Sequence, residues 1–560
     1  MTRPEADDAA LPLDALLTEA ARGPLARLLP VGPAARLAAA ALRSPGATAG
    51  RAAGLLAELG RIGLGARPAS GRTDDPRHAD PAWADDPLLS RLLQAHRAAR
   101  SSALELVEDL AADADDADRL RVAVARLADL LAPGTNPLLH PRGLRDAVRS
   151  GGSSAVRAVR ALAADLASPP RLPEGGARLE PGTETATAPG AVVLRTPLFE
   201  LIRYLPATEQ VAEVPVLVVP GVVNRFHLVD LAPDRSLVRR LVAAGQQVFA
   251  LSWRDPGPED AGLGLDAYAE AVVEALAACE RICRVDRTTL FGISTGGLLA
   301  AAVTARLERQ ERVAALVLAG TTLDRERSRT GPSAAPVDDA EVRAAVASIG
   351  RAGLLDGRRL AEIHALLCPE ALVWPAWERR YLAGVDEGDI RPDPLRAWNL
   401  DALHVPAALF RDLAGLALTG ALTRPGAAHV LGGPIDLSAV DRDVYLLAGV
   451  ADRVGSWQAV YRTSQVLGGK CRFVAVPGST AAAVGYGTNA HRVAAGAVSA
   501  GNPADAERWR AASHVEQGSW WEDLVTWLGE RSGAVVDAPP ELGGRGLHPI
   551  HPAPGTYIGT

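Results

Sequence analysis

"LFGISTGGLLAAAV", residues 290–303, decides how the rest of the chain is read. An apolar run ends at Gly292, a serine follows between glycines, and an Ala/Leu-rich helical run begins. G-x-S-x-G between a strand and a helix is the turn that carries the nucleophile in an α/β-hydrolase fold. Its glycines let the backbone take a strained turn that lifts the serine above the carboxyl end of its strand. The amide of the next residue, Thr295, can then face a developing oxyanion. Ser294 is therefore the expected nucleophile, and the alternative is an ordinary strand-to-helix turn.

The surrounding sequence supplies the context this turn requires. "VPVLVVPG", "QQVFALSW", "RTTLFGI" and "VAALVLAG" are short strand-like runs. "SLVRRLVAAG", "LDAYAEAVVEALAACERIC" and "LLAAAVTARLERQ" are helical runs set between them. Such alternation predicts βαβ units and a parallel sheet. The periodic signal weakens over about 325–440 and resumes with "DVYLLAGVADRVGSW" and "CRFVAVPG". An insertion between the later strands, forming a cap or lid, gives this order.

Upstream, residues 75–170 repeat Leu and Val at three- and four-residue spacing, which predicts helices. "SPPRLPEGGARLEPGTETATAPG", at 168–190, reads as a linker. The expected layout is a partly disordered Ala/Arg/Pro-rich arm over 1–74 and a helical N-terminal domain with its linker over 75–185. An α/β-hydrolase domain with its cap insertion follows over 186–560.

Composition narrows the function classes. A chain of 560 residues, 48% hydrophobic, is long enough for more than one unit and a large core. A net charge of −7 and a pI near 5.9 argue against a nucleic-acid binder, which carries a basic footprint. The four cysteines show no metal spacing and read as reduced thiols. No secretory leader is expected from "MTRPEADDAALPLDALL". No apolar stretch approaches the roughly 18 residues that would suggest a membrane span. The expectation is a soluble, cytoplasmic protein with no metal and no cofactor.

In this fold the triad runs Ser, then Asp or Glu, then His. Asp452, just past "VYLLAGVA", is the expected acid. The histidine should follow "CRFVAVPG", but the next residues, "STAAAVGYG", contain none. The nearest downstream is His491, 11 residues beyond Thr480.

"VVNRFHLVDLAPDRSLVRRLVAAGQQVFALSWRDP", from residue 222, resembles the segment that marks polyhydroxyalkanoate synthases, enzymes that polymerise 3-hydroxyacyl-CoA thioesters. There an Asn-Lys-aromatic run leads to Leu-Asp-Leu, Ser-Leu-Val and Val-Ser-Trp-Arg. "DPAWADDPLL" at 80, "TNPLLHPRGLRDAVRSGG" at 135, "GLLDGRRLAEIHALLCPEALVW" at 353 and "AWNLDALHVP" at 397 extend the likeness. "GSWWEDLVTWLGERSG" at 518 and "PAPGTYIG" at 552 carry it to the C-terminus. It implies a helical N-terminal domain on an α/β-hydrolase domain with a cap.

The site residues carry over unevenly. The family's elbow cysteine, which holds the growing chain as a thioester, is Ser294 here. Its aspartate falls on Asp452, with Trp457 matching a tryptophan soon after. Its histidine falls on Thr480 when the stretches are aligned without gaps. The oxyanion loop, Pro-Pro-Trp in the family, reads Pro220-Gly221-Val222, which assigns the second oxyanion amide to Val222. A cysteine is a few per cent thiolate at neutral pH, whereas a serine depends on an adjacent base. A threonine hydroxyl does not accept a proton at neutral pH. The candidate replacement bases are His491, in the Gly-rich stretch "GYGTNAHRV", then His227 and His404.

Three functions follow from this resemblance. One is an acyltransferase working through an acyl-Ser294 intermediate with an altered or missing base. Another is a catalytically silent paralogue that binds an active synthase, the polymer or an acyl-CoA. The last is a serine esterase or thioesterase that recruits His491. The implied partners are a 3-hydroxyacyl-CoA or polyester chain, a second copy or an active synthase, and the polyester-granule surface.

Overall fold

The fold is seen in a computed structural model, which describes residues 13–22, 31–65, 76–78, 80–111, 113–136, 139–166, 179–324, 339–385, 393–494 and 503–559. Parts of the arm (1–12, 23–30 and 66–75), residues 168–178 of the linker, and 325–338 and 386–392 of the insertion therefore lie outside the described residues.

Eleven strands form the central sheet. They are β1 (Gly190–Arg195), β2 (Phe199–Tyr204), β3 (Val216–Val219), β4 (Val248–Trp253), β5 (Thr288–Ile293) and β6 (Val313–Ala319), then β7 (Val444–Gly449), β8 (Cys471–Val476), β9 (Ala490–Ala494), β10 (Ser513–Gln517) and β11 (His551–Pro552). The spatial order is β10-β9-β8-β7-β6-β5-β3-β4-β2-β1-β11. The strands from β8 to β4 in that order are mutually parallel, and antiparallel strands extend both edges.

The parallel strands are largely apolar because both faces of the sheet are covered. Alternate residues feed opposite cores. Leu217 and Val219 of β3 join the core that holds the helices Leu265–Cys283 and Thr295–Leu307. Val216 and Val218 join the core that holds Trp520, Leu524 and Leu528 of the helix Trp520–Gly529.

Between β6 and β7 the chain leaves the sheet and builds the helices Asp339–Ala352, Gly357–Leu367, Pro394–Leu400 and Ala407–Thr419. These stand over the carboxyl ends of the parallel strands. The loop after β3 is stitched to them: Trp398 Nε1 donates to the Arg225 carbonyl at 2.7 Å, and the Leu403 amide donates to the Val223 carbonyl at 3.0 Å.

The N-terminal region is helical where it is described. The helix Pro87–Leu110 is capped by Asp86, whose carboxylate accepts from the amides of Leu88 and Leu89. Asp165, in the helix Ser153–Leu166, binds Arg380 at 2.7 Å and Tyr381 at 2.5 Å, joining this region to residues that follow the first cap helices. The short helix Leu13–Arg22 is buried against the cap helices 339–352, 357–367 and 407–419, with Leu17 and Ala20 fully enclosed. Arg22 closes it with a 3.0 Å ion pair to Glu341.

Candidate active site

Ser294 leaves β5 with φ 52° and ψ −118°, a conformation rarely held by a residue with a side chain. Its neighbours make this turn possible. A Cβ on Gly292 would lie 2.3 Å from the Gly297 Cα, and one on Gly296 would lie 2.1 Å from the Val219 carbonyl oxygen. Only glycine lets β5, the helix after it and the end of β3 approach so closely. The Ser294 amide donates to the Ala319 carbonyl at 2.8 Å, and the Thr321 hydroxyl donates to the Ser294 carbonyl at 3.2 Å. The backbone is thus held from β6, and the hydroxyl makes no hydrogen bond among the described residues.

Ser294 opens on a cavity of ≈ 320 Å³ between the strand ends and the cap. Asp452, Thr480 and Gly320 line it from the sheet side, and Leu360, His364 and Trp398 from the cap. Leu16 of the N-terminal helix also contributes to the wall.

Asp452 follows β7 and is brought to the same cavity as Ser294, but it is engaged elsewhere. Oδ1 accepts from the Val454 amide at 3.1 Å, and Oδ2 from the Thr480 amide at 3.0 Å. Burial lifts this carboxyl above the ordinary aspartate range, against hydrogen bonds from the Thr480 side chain and nearby backbone amides. Thr480 opens the helix Thr480–Tyr486, and its hydroxyl also accepts from the Gly449 amide at 2.9 Å. Asp452 and Thr480 therefore satisfy one another and the ends of β7 and β8.

The expected oxyanion amides meet different fates. Thr295 begins the helix Thr295–Leu307, so its amide is among those a helix leaves without an internal acceptor. The Val222 amide instead donates to the Thr295 hydroxyl at 2.9 Å. One donor of the pair is occupied by the chain itself.

The structure does not bring the histidines singled out from the sequence to this cavity. His491 lies on β9; its Nδ1 is 3.1 Å from the Gly518 carbonyl and its Nε2 is 3.6 Å from Glu516. His491, Glu516 and Asp523 could bring ligand atoms within 4.8 Å of one another, but Asp523 is already bonded by Tyr445 and Arg472. His404 holds Asp255 at 3.0 Å. His227 is buried behind the loop after β3, and burial pushes its pKa down to about 4. None of the three lines the cavity.

His364 does line it, the only histidine among the lining residues, and the sequence reading passed over it. It stands on the helix Gly357–Leu367, whose N-terminus is capped by Asp356. Burial pushes its pKa down to about 4. Leu360, Ala361, His364 and Cys368 all line the cavity, a spacing that turns one stripe of this helix inward. A histidine within an apolar helical stripe was the available signal.

Comparison with known proteins agrees with this architecture. Residues 74–241 match the family described as poly-beta-hydroxybutyrate polymerase (PhaC) N-terminus, and residues 214–469 match the alpha/beta hydrolase fold. Poly(3-hydroxyalkanoate) polymerase 2 of Ectopseudomonas oleovorans is 35% identical over 526 residues, 92% of each chain. Poly(3-hydroxyalkanoate) polymerase 1 of the same organism is 33% identical over 522 residues, again 92% of each. The poly(3-hydroxyalkanoate) polymerase subunit PhaC of Cupriavidus necator is 32% identical over 499 residues, 88% of this chain and 84% of that one. Among the described residues, no helix is long and apolar enough to cross a membrane. With an α/β-hydrolase sheet, a cap, and likeness running nearly end to end, this chain belongs to the polyhydroxyalkanoate polymerase family.

Proposed function

We propose that this protein is an acyltransferase that takes 3-hydroxyacyl groups from CoA thioesters as an ester on Ser294. It does so more slowly than a polymerase with a cysteine nucleophile and a histidine base. The observation that carries this reading is the backbone of Ser294. A side chain at φ 52° and ψ −118° costs on the order of 1–3 kcal/mol, and such strain concentrates at working sites. The hydroxyl opens on a cavity beside the first amide of a helix, which suits a tetrahedral oxyanion.

The test is incubation of the purified protein with 3-hydroxybutyryl-CoA, following CoA release and polymer. Release above the no-enzyme rate that Ser294→Ala abolishes supports this reading. Polymer as the product identifies a transferase, and free 3-hydroxybutyrate identifies a hydrolase. Release equal to the no-enzyme rate overturns both.

A second reading is favoured by the closed hydrogen bonds around the site. Asp452 is committed to Thr480 and the Val222 amide to Thr295. On this reading the protein is catalytically silent. It binds an acyl-CoA or polyester chain in the cavity, or an active polymerase as a heteromer, at a granule surface. Calorimetric binding of 3-hydroxybutyryl-CoA without turnover supports it.

A further inference from the structure

We propose that His364 is the proton acceptor for Ser294, carried on the cap in place of the histidine whose position after β8 is taken by Thr480. This rests on the acyltransferase reading above.

The case begins with which histidine reaches the cavity. His491, His404 and His227 all lie outside its wall, with His404 held by Asp255 and His491 by the Gly518 carbonyl. His364 makes no side-chain hydrogen bond, ion pair or ring contact among the described residues. It lines the same ≈ 320 Å³ cavity as Ser294, from the cap side. The rest of its helical stripe is apolar, and no carboxylate is bound to the ring. An imidazole in that setting stays neutral at physiological pH with a free ring nitrogen, and the burial that lowers its pKa to about 4 makes it a weak proton acceptor, in keeping with a slow enzyme.

The chemistry balances without a further reactant. As Ser294 Oγ attacks the thioester carbonyl carbon, its proton passes to the free ring nitrogen of His364. The oxyanion forms beside the Thr295 amide. Collapse breaks the C–S bond, and the imidazolium returns the proton to the CoA sulfur. This leaves the acyl ester on Ser294 and free CoA. An incoming 3-hydroxyl group discharges the ester by the same exchange: its proton passes to His364 and then to Ser294 Oγ. Asp452, bound to Thr480, gives His364 no carboxylate partner, which accords with a slow enzyme.

The experiment measures CoA release by the full-length protein from 3-hydroxybutyryl-CoA, with substrate binding followed separately by calorimetry. Compared with the parent, Ser294→Ala and His364→Gln should each cut release by about 10²-fold or more while leaving affinity within a few-fold. His364→Phe, which keeps the apolar packing, should match His364→Gln. Adding Thr480→His to His364→Gln should recover part of the rate. If His364→Gln and His364→Phe stay within twofold of the parent while Ser294→Ala abolishes release, the base assignment falls and the acyltransferase reading stands. A parent protein that releases CoA only at the no-enzyme rate overturns both.

Discussion

The Thr480 amide donates to Asp452 Oδ2 at 3.0 Å, while the Thr480 hydroxyl accepts from Gly449 at 2.9 Å. The residue aligned with the family's histidine thus holds the acid of the site without having anything to pass to the nucleophile. In a working triad the acid orients the imidazole, and losing it costs about 10⁴ in rate. Here Asp452→Asn should lower CoA release by less than tenfold, as steady-state rates with 3-hydroxybutyryl-CoA will show.

The same carboxyl makes a prediction about pH. Its pKa is raised on folding, so its contribution to stability is fully present below the unfolded value near 3.9 and is lost as pH rises through the folded value. Asp452→Asn should therefore remove part of the decline in stability as pH rises above about 4. Denaturant melts of both proteins across that range measure the difference in slope.

His227 acts in the opposite direction. Its pKa falls from an ordinary 6.5 to about 4 on burial. Between those values the unfolded chain binds a proton that the folded chain refuses, so stability drops as pH falls through that window. The full effect is on the order of 3 kcal/mol. His227→Phe should flatten the acid side of the stability profile, read from unfolding midpoints at pH 7, 5.5 and 4.

Strain at the elbow can be separated from chemistry. Ser294→Gly relieves the cost of φ 52° and should raise stability by about 1 kcal/mol, whereas Ser294→Ala keeps the strain and should gain little. Both lose the nucleophile. Gly292→Ala should unfold the elbow, because its Cβ would sit 2.3 Å from the Gly297 Cα. Unfolding midpoints of the three variants give the order.

Thr295→Val removes the acceptor of the Val222 amide. That amide is then buried and unpaired in the resting protein, at a cost of about 1–3 kcal/mol. It is also free for an oxyanion. The variant should melt earlier and acylate faster, seen as a larger initial burst of CoA.

The elbow and the parallel sheet were legible because both depend on local rules: apolar runs of strand length, and glycines at positions where any Cβ collides. Asp452 was legible because β7 ends directly before it. The histidine proposed as base was not. His491 is close to Thr480 along the chain, but β9 turns back antiparallel and carries it outward beyond β8, beside the edge strand β10. His364 lies more than a hundred residues before Thr480, and only the folding of the cap brings the two to one cavity. The bond from Val222 to Thr295 joins two loops whose separation in sequence gives no hint of contact.

The helix Leu13–Arg22 has a practical consequence for how this protein is handled. It precedes residue 74, where the match to the family's N-terminal region begins, yet Leu16 forms part of the cavity wall and Leu17 is packed inside the cap. A chain trimmed to the recognisable family boundary would lose that wall and expose the apolar cradle beneath it. Assays of acyl selectivity are therefore best made on the untrimmed chain, since the helix Leu13–Arg22 is part of the container.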